Sequence, residues 1–122
     1  MSCVGADIGS AGEKIAMQWL RRNGYLIRDL NWRAGRYELD IVAEKWGVIH
    51  FVEVKTRRSD GLTTPEDAMT RNKKDSLIKA ARSYLSQYKI ENEFQFDLVA
   101  VETHPDLSVD IRLTERVVDI RW

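Results

Sequence analysis

The segment from Val48 to Thr56, VIHFVEVKT, constrains the fold more than any other part of the chain. Alternate residues of a strand share a face, so Ile49, Phe51, Glu53 and Lys55 project one way and Val48, Val52 and Val54 the other. Both faces are apolar along most of the run, which marks a strand buried in the middle of a sheet. A carboxylate and an ammonium at the end of such a strand are costly unless they pair or serve a function. The spacing alone leaves both readings standing: a structural Glu53–Lys55 pair, or the polar end of a site.

The preceding strand sharpens the choice. Arg36 to Glu44 has strand character, and Lys45-Trp46-Gly47 gives it hairpin distance from Val48. Alternation puts Glu38 and Asp40 on one face and Tyr37, Leu39 and Ile41 on the other. Counted from the turn, Asp40 lies six residues before Trp46 and Glu53 seven after it. Paired across the turn, the two acids are near neighbours. Carboxylates at close range repel unless a cation neutralises them or one takes a proton. Their hard oxygens select Mg²⁺ or Mn²⁺ over zinc. Glu38 is expected to pair instead with a neighbouring arginine such as Arg36.

The remaining elements frame these strands. Ser10 to Asn23 reads as a helix, with Ser10 and Glu13 spaced as a capping box and Gly24 placed to end it. Glu13 also precedes Ala16, Met17 and Leu20 on the apolar stripe, so it caps the helix, reaches into a site at the sheet edge, or does both. Tyr25 to Trp32 is a strand, completing a meander. Ser59 to Thr63 reads as loop, Thr64-Pro65-Glu66-Asp67 as a helix start, and Arg71 to Lys89 as a longer helix. Its stripe holds Leu77, Ala81, Tyr84, Leu85 and Tyr88. Lys73, one turn before Leu77, is aimed inward, whereas Lys74, Lys79 and Arg82 face solvent. Arg57 shares the face of Lys55, and Arg57, Lys73 and Lys74 are the candidate phosphate contacts. Phe94 to Val101 and Val109 to Leu113 are the last strands. The order αβββαβ with a terminal strand predicts an α/β fold, a mixed sheet flanked by helices. His50 faces away from Glu53 and is not expected to act as a base. Trp19, Trp32 and Trp46 read as core or hairpin residues.

At 122 residues the chain is expected to form one domain, 1–122, with residues 1–9 a flexible N-terminus. A single cysteine and two histidines leave little for a zinc cluster, and no apolar run approaches the roughly 20 residues of a membrane span. With no secretory signal pattern, the expected compartment is the reducing cytoplasm. The formal net charge is zero, but it is unevenly spread. Residues 1–90 carry 16 Lys and Arg against 11 Asp and Glu, an excess of five positive charges, and residues 91–122 carry 3 against 8, an excess of five negative. Such asymmetry fits a basic face toward phosphate or merely solvated surfaces.

Gly9-Ser10-Ala11-Gly12-Glu13, Asn31-Trp32-Arg33, Glu38-Leu39-Asp40-Ile41-Val42-Ala43 and Phe51-Val52-Glu53-Val54-Lys55-Thr56-Arg57 occur in that order. Lys73, Ala80-Ala81-Arg82-Ser83-Tyr84-Leu85 and Phe96-Asp97-Leu98-Val99 extend the pattern over nearly the whole chain. Together they resemble the YraN-like family of bacterial proteins, placed in the PD-(D/E)XK nuclease superfamily and similar to archaeal Holliday-junction resolvases. The resemblance implies a restriction-endonuclease-like αβββαβ core. It implies Asp40, Glu53 and the carbonyl of Val54 as metal ligands, Glu13 near the metal or its water, and Lys55 as the group that orients the attacking water and stabilises phosphate charge. Two positions depart from the family pattern: Tyr37 stands where glycine is common, and Gln95 where arginine is common.

The expected function is metal-dependent hydrolysis of DNA phosphodiester bonds, in branched or processed structures, with Mg²⁺ or Mn²⁺ as cofactor and DNA preferred over RNA as partner. The alternative is a non-catalytic nucleic-acid-binding or assembly subunit that keeps the fold. Zero net charge and small size favour it, since a domain this small would hold a duplex with a partner or as a homodimer. No membrane partner is expected.

Overall fold

The computed structural model describes residues 8–59 and 69–119. Helix α1 spans Ile8–Arg22, followed by strands β1 (Leu26–Ala34), β2 (Tyr37–Lys45) and β3 (Val48–Arg58). Helix α2 (Arg71–Gln87) leads to β4 (Phe94–Thr103) and β5 (Val109–Thr114). The five strands form one sheet in chain order, β1-β2-β3-β4-β5. β1, β2 and β3 are an antiparallel meander, β4 runs parallel to β3, and β5 closes the edge antiparallel to β4. Parallel neighbours need a long crossover. The segment containing α2 supplies it, which gives the α/β, restriction-endonuclease-like core expected from the sequence.

β3 is central, as its apolar faces require. On one side Ile49 and Phe51 join Leu77, Ala80, Ala81 and Tyr84 of α2. On the other, Val52 and Val54 join Ala16 and Leu20 of α1. The β2–β3 turn is Trp46-Gly47, with φ of 53° and 77°. Positive φ at both positions matches the right-handed strand twist that a two-residue hairpin must join. Trp46 therefore is a hairpin residue, and its ring is 91% exposed rather than core.

Two local expectations are corrected. α1 begins at Ile8, so Ser10 lies inside the helix and Glu13 beyond its first turn. Only the first-turn N–H groups lack intrahelical partners, so Ser10 does not stand at the N-cap that a Ser10–Glu13 capping box requires. Thr70 caps α2, its hydroxyl accepting from the Lys73 N–H at 3.2 Å, while the expected start at Thr64 lies outside the described residues.

The second correction concerns β2. Tyr37 and Leu39 pack into the same cluster as Val42, whereas Ile41 and Ala43 face α1. Strict alternation would put Tyr37, Leu39 and Ile41 on one face. The change of face occurs at Asp40, and β1 turns with it. Asn31, between the paired residues Leu30↔Ile41 and Trp32↔Leu39, has φ of 51°. Asn tolerates this left-handed conformation better than other side chains. The β2–β3 backbone pairing ends one step away, at Ile41↔Val52.

Candidate metal centre

The irregularity in β2 builds the site. Extending the β2–β3 register by one residue sets Asp40 opposite Glu53. In place of a backbone carbonyl, the Asp40 carboxylate takes the Val54 N–H, with Oδ2 3.0 Å from the nitrogen. Asp40 is thus held on β3 at the point where the strands cease to pair.

Glu53 is 3% exposed. Its Oε2 lies 3.2 Å from Lys73 Nζ at the start of α2, and Oε1 is buried with no hydrogen-bond partner among the described residues. A buried unsatisfied acceptor costs about 1–3 kcal/mol. Burial first, and Asp40 second, push the Glu53 carboxyl up to about 7, against the favourable charges of Lys73 and Lys55. Both causes are what a divalent cation between the carboxylates would relieve. The donor set, carboxylate oxygens without histidine or cysteine, suits Mg²⁺ or Mn²⁺. An orphaned buried acceptor on the strand next to a second acid fits such an ion by its chemistry.

Glu13 is half-buried on α1. Its neighbour Gly12 is the point where α1 meets β3: a Cβ there would collide with the Thr56 hydroxyl. That contact sets Glu13 beside the strand end that carries Lys55. Two groups of three potential ligands lie within 4.8 Å of one another among the described residues, His50–Asp97–Glu115 and Glu102–His104–Asp110. Neither includes Glu13, Asp40 or Glu53, so the three acids expected at the site do not converge in this state.

Among the candidate phosphate contacts, Lys73 points inward as its stripe position predicts, but onto Glu53. Lys74 is half-buried in the same turn. Arg57 pairs with Glu102 on β4, Nη2 to Oε2 at 3.3 Å. Glu38 pairs with an arginine, as expected, but with Arg33 at 3.6 Å rather than Arg36, whose guanidinium lies over the Tyr37 ring.

One buried polar group went unanticipated. His50 faces away from Glu53, as alternation requires, and its Nδ1 lies 2.7 Å from Oδ2 of the fully buried Asp97. The other Asp97 oxygen accepts from Gln95 Nε2 at 2.9 Å and from the Arg116 N–H at 3.1 Å. Both Asp97 oxygens are partnered, so this cluster ties the strands to the C-terminal segment. Gln95 also donates to Glu115 at 2.9 Å.

No helix among the described residues is long and apolar enough to cross a membrane. A family model described as Uncharacterised protein family UPF0102 matches residues 12–101. A UPF0102 protein of Bacteroides fragilis is 43% identical over 94 residues, covering 77% of this chain and 78% of that one. One from Nitratidesulfovibrio vulgaris is 47% identical over 94 residues, covering 76% of this chain and 70% of that one. Among solved structures, SfsA of Pyrococcus furiosus in complex with Ca²⁺ is similar with a TM-score of 0.40 and 19% identity, covering 92% of this chain and 64% of that one.

Proposed function

The chain belongs to the UPF0102 family, and we propose that it is a Mg²⁺- or Mn²⁺-dependent phosphodiesterase acting on DNA. The observation that carries this reading is the opposed pair Asp40 and Glu53, one Glu53 oxygen buried without a hydrogen-bond partner among the described residues, with Lys55 on the same strand. Asp40, Glu53 and the carbonyl of Val54 would hold the ion, with Glu13 approaching from α1. When bound, the ion neutralises charge developing on the phosphate and acidifies water.

The chain's own groups supply the rest. Asp40 is kept in place by the Val54 N–H, so its carboxylate does not reorganise to bind. Lys55, two residues from Glu53 on the same face, orients the attacking water and stabilises negative charge on the phosphate. Lys74 and Arg57 border this end of the sheet and would meet backbone phosphates of the DNA. A second copy of the chain would extend that contact along a duplex.

The test is incubation with branched, flapped and linear DNA in Mg²⁺ or Mn²⁺. Cleavage by the wild type, lost in Glu53→Ala and Lys55→Ala, supports the proposal. Absence of cleavage, or cleavage indifferent to both changes, refutes it. One observation favours a non-catalytic nucleic-acid-binding subunit instead: Lys73 forms an ion pair with Glu53 at 3.2 Å. In that case binding persists without divalent metal, survives Glu53→Ala, and falls steeply with salt.

A further inference from the structure

The first turn of α2 contains Arg71, Lys73 and Lys74 and no acid. The positive end of the helix dipole disfavours cations there, so this clustering is not explained by helix stability. Lys73 is the member of the group whose ammonium reaches the sheet, 3.2 Å from Glu53 Oε2, yet its side chain stays 37% exposed against 3% for Glu53. A buried ion pair kept for structure would enclose both charges and satisfy the remaining lone pairs. Here the lysine side chain stays partly exposed, and the second carboxylate oxygen has no hydrogen-bond partner among the described residues.

The charges balance as they stand: Asp40 and Glu53 against Lys55 and Lys73. A divalent ion would leave two positive charges in excess, of which releasing Lys73 removes one and taking an anion offsets the other. A lysine on a flexible four-carbon stem, its side chain about a third exposed, is the group able to move.

We propose, resting on the metal-site reading above, that Lys73 is a displaceable counter-cation. It neutralises Glu53 when no divalent ion is bound and gives up that carboxylate when one binds. Its ammonium then stands at the solvent-facing mouth of the site, with Arg71 and Lys74, where a substrate phosphate supplies the compensating negative charge. Metal loading and phosphate capture are thereby coupled through one side chain.

Two measurements on the full chain test this. Amine acetylation read by mass spectrometry, with Lys74 as internal reference, reports whether Lys73 is released. The Lys73-to-Lys74 labelling ratio should rise several-fold on saturation with Mg²⁺. Calorimetric titration with Mn²⁺ should show about tenfold tighter binding by Lys73→Met than by wild type, the lower end of what a charge at this range does to a neighbouring site. Lys73→Gln is a second variant, and circular dichroism confirms that both fold. Both changes are required. Tighter binding with an unchanged labelling ratio means that Lys73 acts as a fixed charge and overturns displacement, as does a raised ratio without tighter binding. Saturable Mn²⁺ binding with neither change also overturns it while leaving the metal site standing. No saturable binding by any of the proteins overturns the metal site and this proposal with it.

Discussion

Glu53→Gln should stabilise the metal-free protein at neutral to alkaline pH. The carboxyl titrates at about 7 in the folded chain against 4.5 ordinarily, and the first cause is burial. Because the folded pKa is the higher one, the folded state holds the proton more tightly than the unfolded state between those values. Stability is therefore greatest below the unfolded pKa, falls as pH rises through the window from 4.5 to about 7, and is flat above it. At 1.36 kcal/mol per unit, ionisation costs the wild type about 3 kcal/mol by pH 8, relative to a neutral isostere. For a domain of this size that is a melting-temperature difference of about 10 °C. Calorimetric scans of both proteins in chelator, from about pH 4.5 to 8, should show the curves diverging as pH rises, with Glu53→Gln the more stable at the upper end. Saturating Mn²⁺ should then close the gap, since ion at a hundredfold excess over Kd adds about 2.7 kcal/mol to the form that binds it. Should Glu53→Gln instead be the less stable protein at pH 8, Glu53 and Lys73 form a net favourable structural pair, and the reasoning from an uncompensated buried charge fails.

Other elements of the account make separate demands. Asp97→Asn should lower stability by about 1–3 kcal/mol in urea titrations, because it disturbs the buried hydrogen bonds to His50, Gln95 and the Arg116 N–H, and it should leave Mn²⁺ binding unchanged. Asn31→Gly should be nearly neutral to melting temperature and to Mn²⁺ affinity, while Asn31→Val, unsuited to φ of 51°, should cost about 1–2 kcal/mol and weaken Mn²⁺ binding by disturbing Asp40. Gly12→Ala should destabilise by about 1 kcal/mol through its collision with the Thr56 hydroxyl, and Thr56→Ala in the same chain should recover part of the loss in thermal scans. Tyr84→Phe should cost about 1–2 kcal/mol in urea titrations, since the hydroxyl donates to Asp29 at 2.6 Å and accepts from Arg28 at 3.1 Å.

Much of this was legible from residue patterns. The two-sided apolar run of β3 identified the central strand. The short turn after Lys45 fixed a hairpin that brings Asp40 level with Glu53. What escaped were features in which one residue departs from the rule of its element. Alternation could not show that β1 and β2 change face at Asn31 and Asp40, because a left-handed asparagine leaves the sequence looking like an ordinary strand. The capping spacing of Ser10 and Glu13 misled because α1 begins two residues before Ser10. The pairing of His50 with Asp97 joins residues 47 apart, and only the parallel β3–β4 register, which sets Asp97 two residues on from the partner of His50, brings them together. Lys73 was aimed inward by its helical stripe, yet the sequence had no means of saying which carboxylate it would meet.

A crystal grown in chelator and soaked in Mn²⁺ tests the central claim most directly. The account predicts one anomalous-scattering peak coordinated by Asp40 and Glu53 at about 2.1 Å, the distance of a hard octahedral ion from its oxygens, and no such peak in Glu53→Gln. Full Mn²⁺ loading of the crystal elsewhere, with Lys73 still seated on a Glu53 that binds nothing, would contradict it.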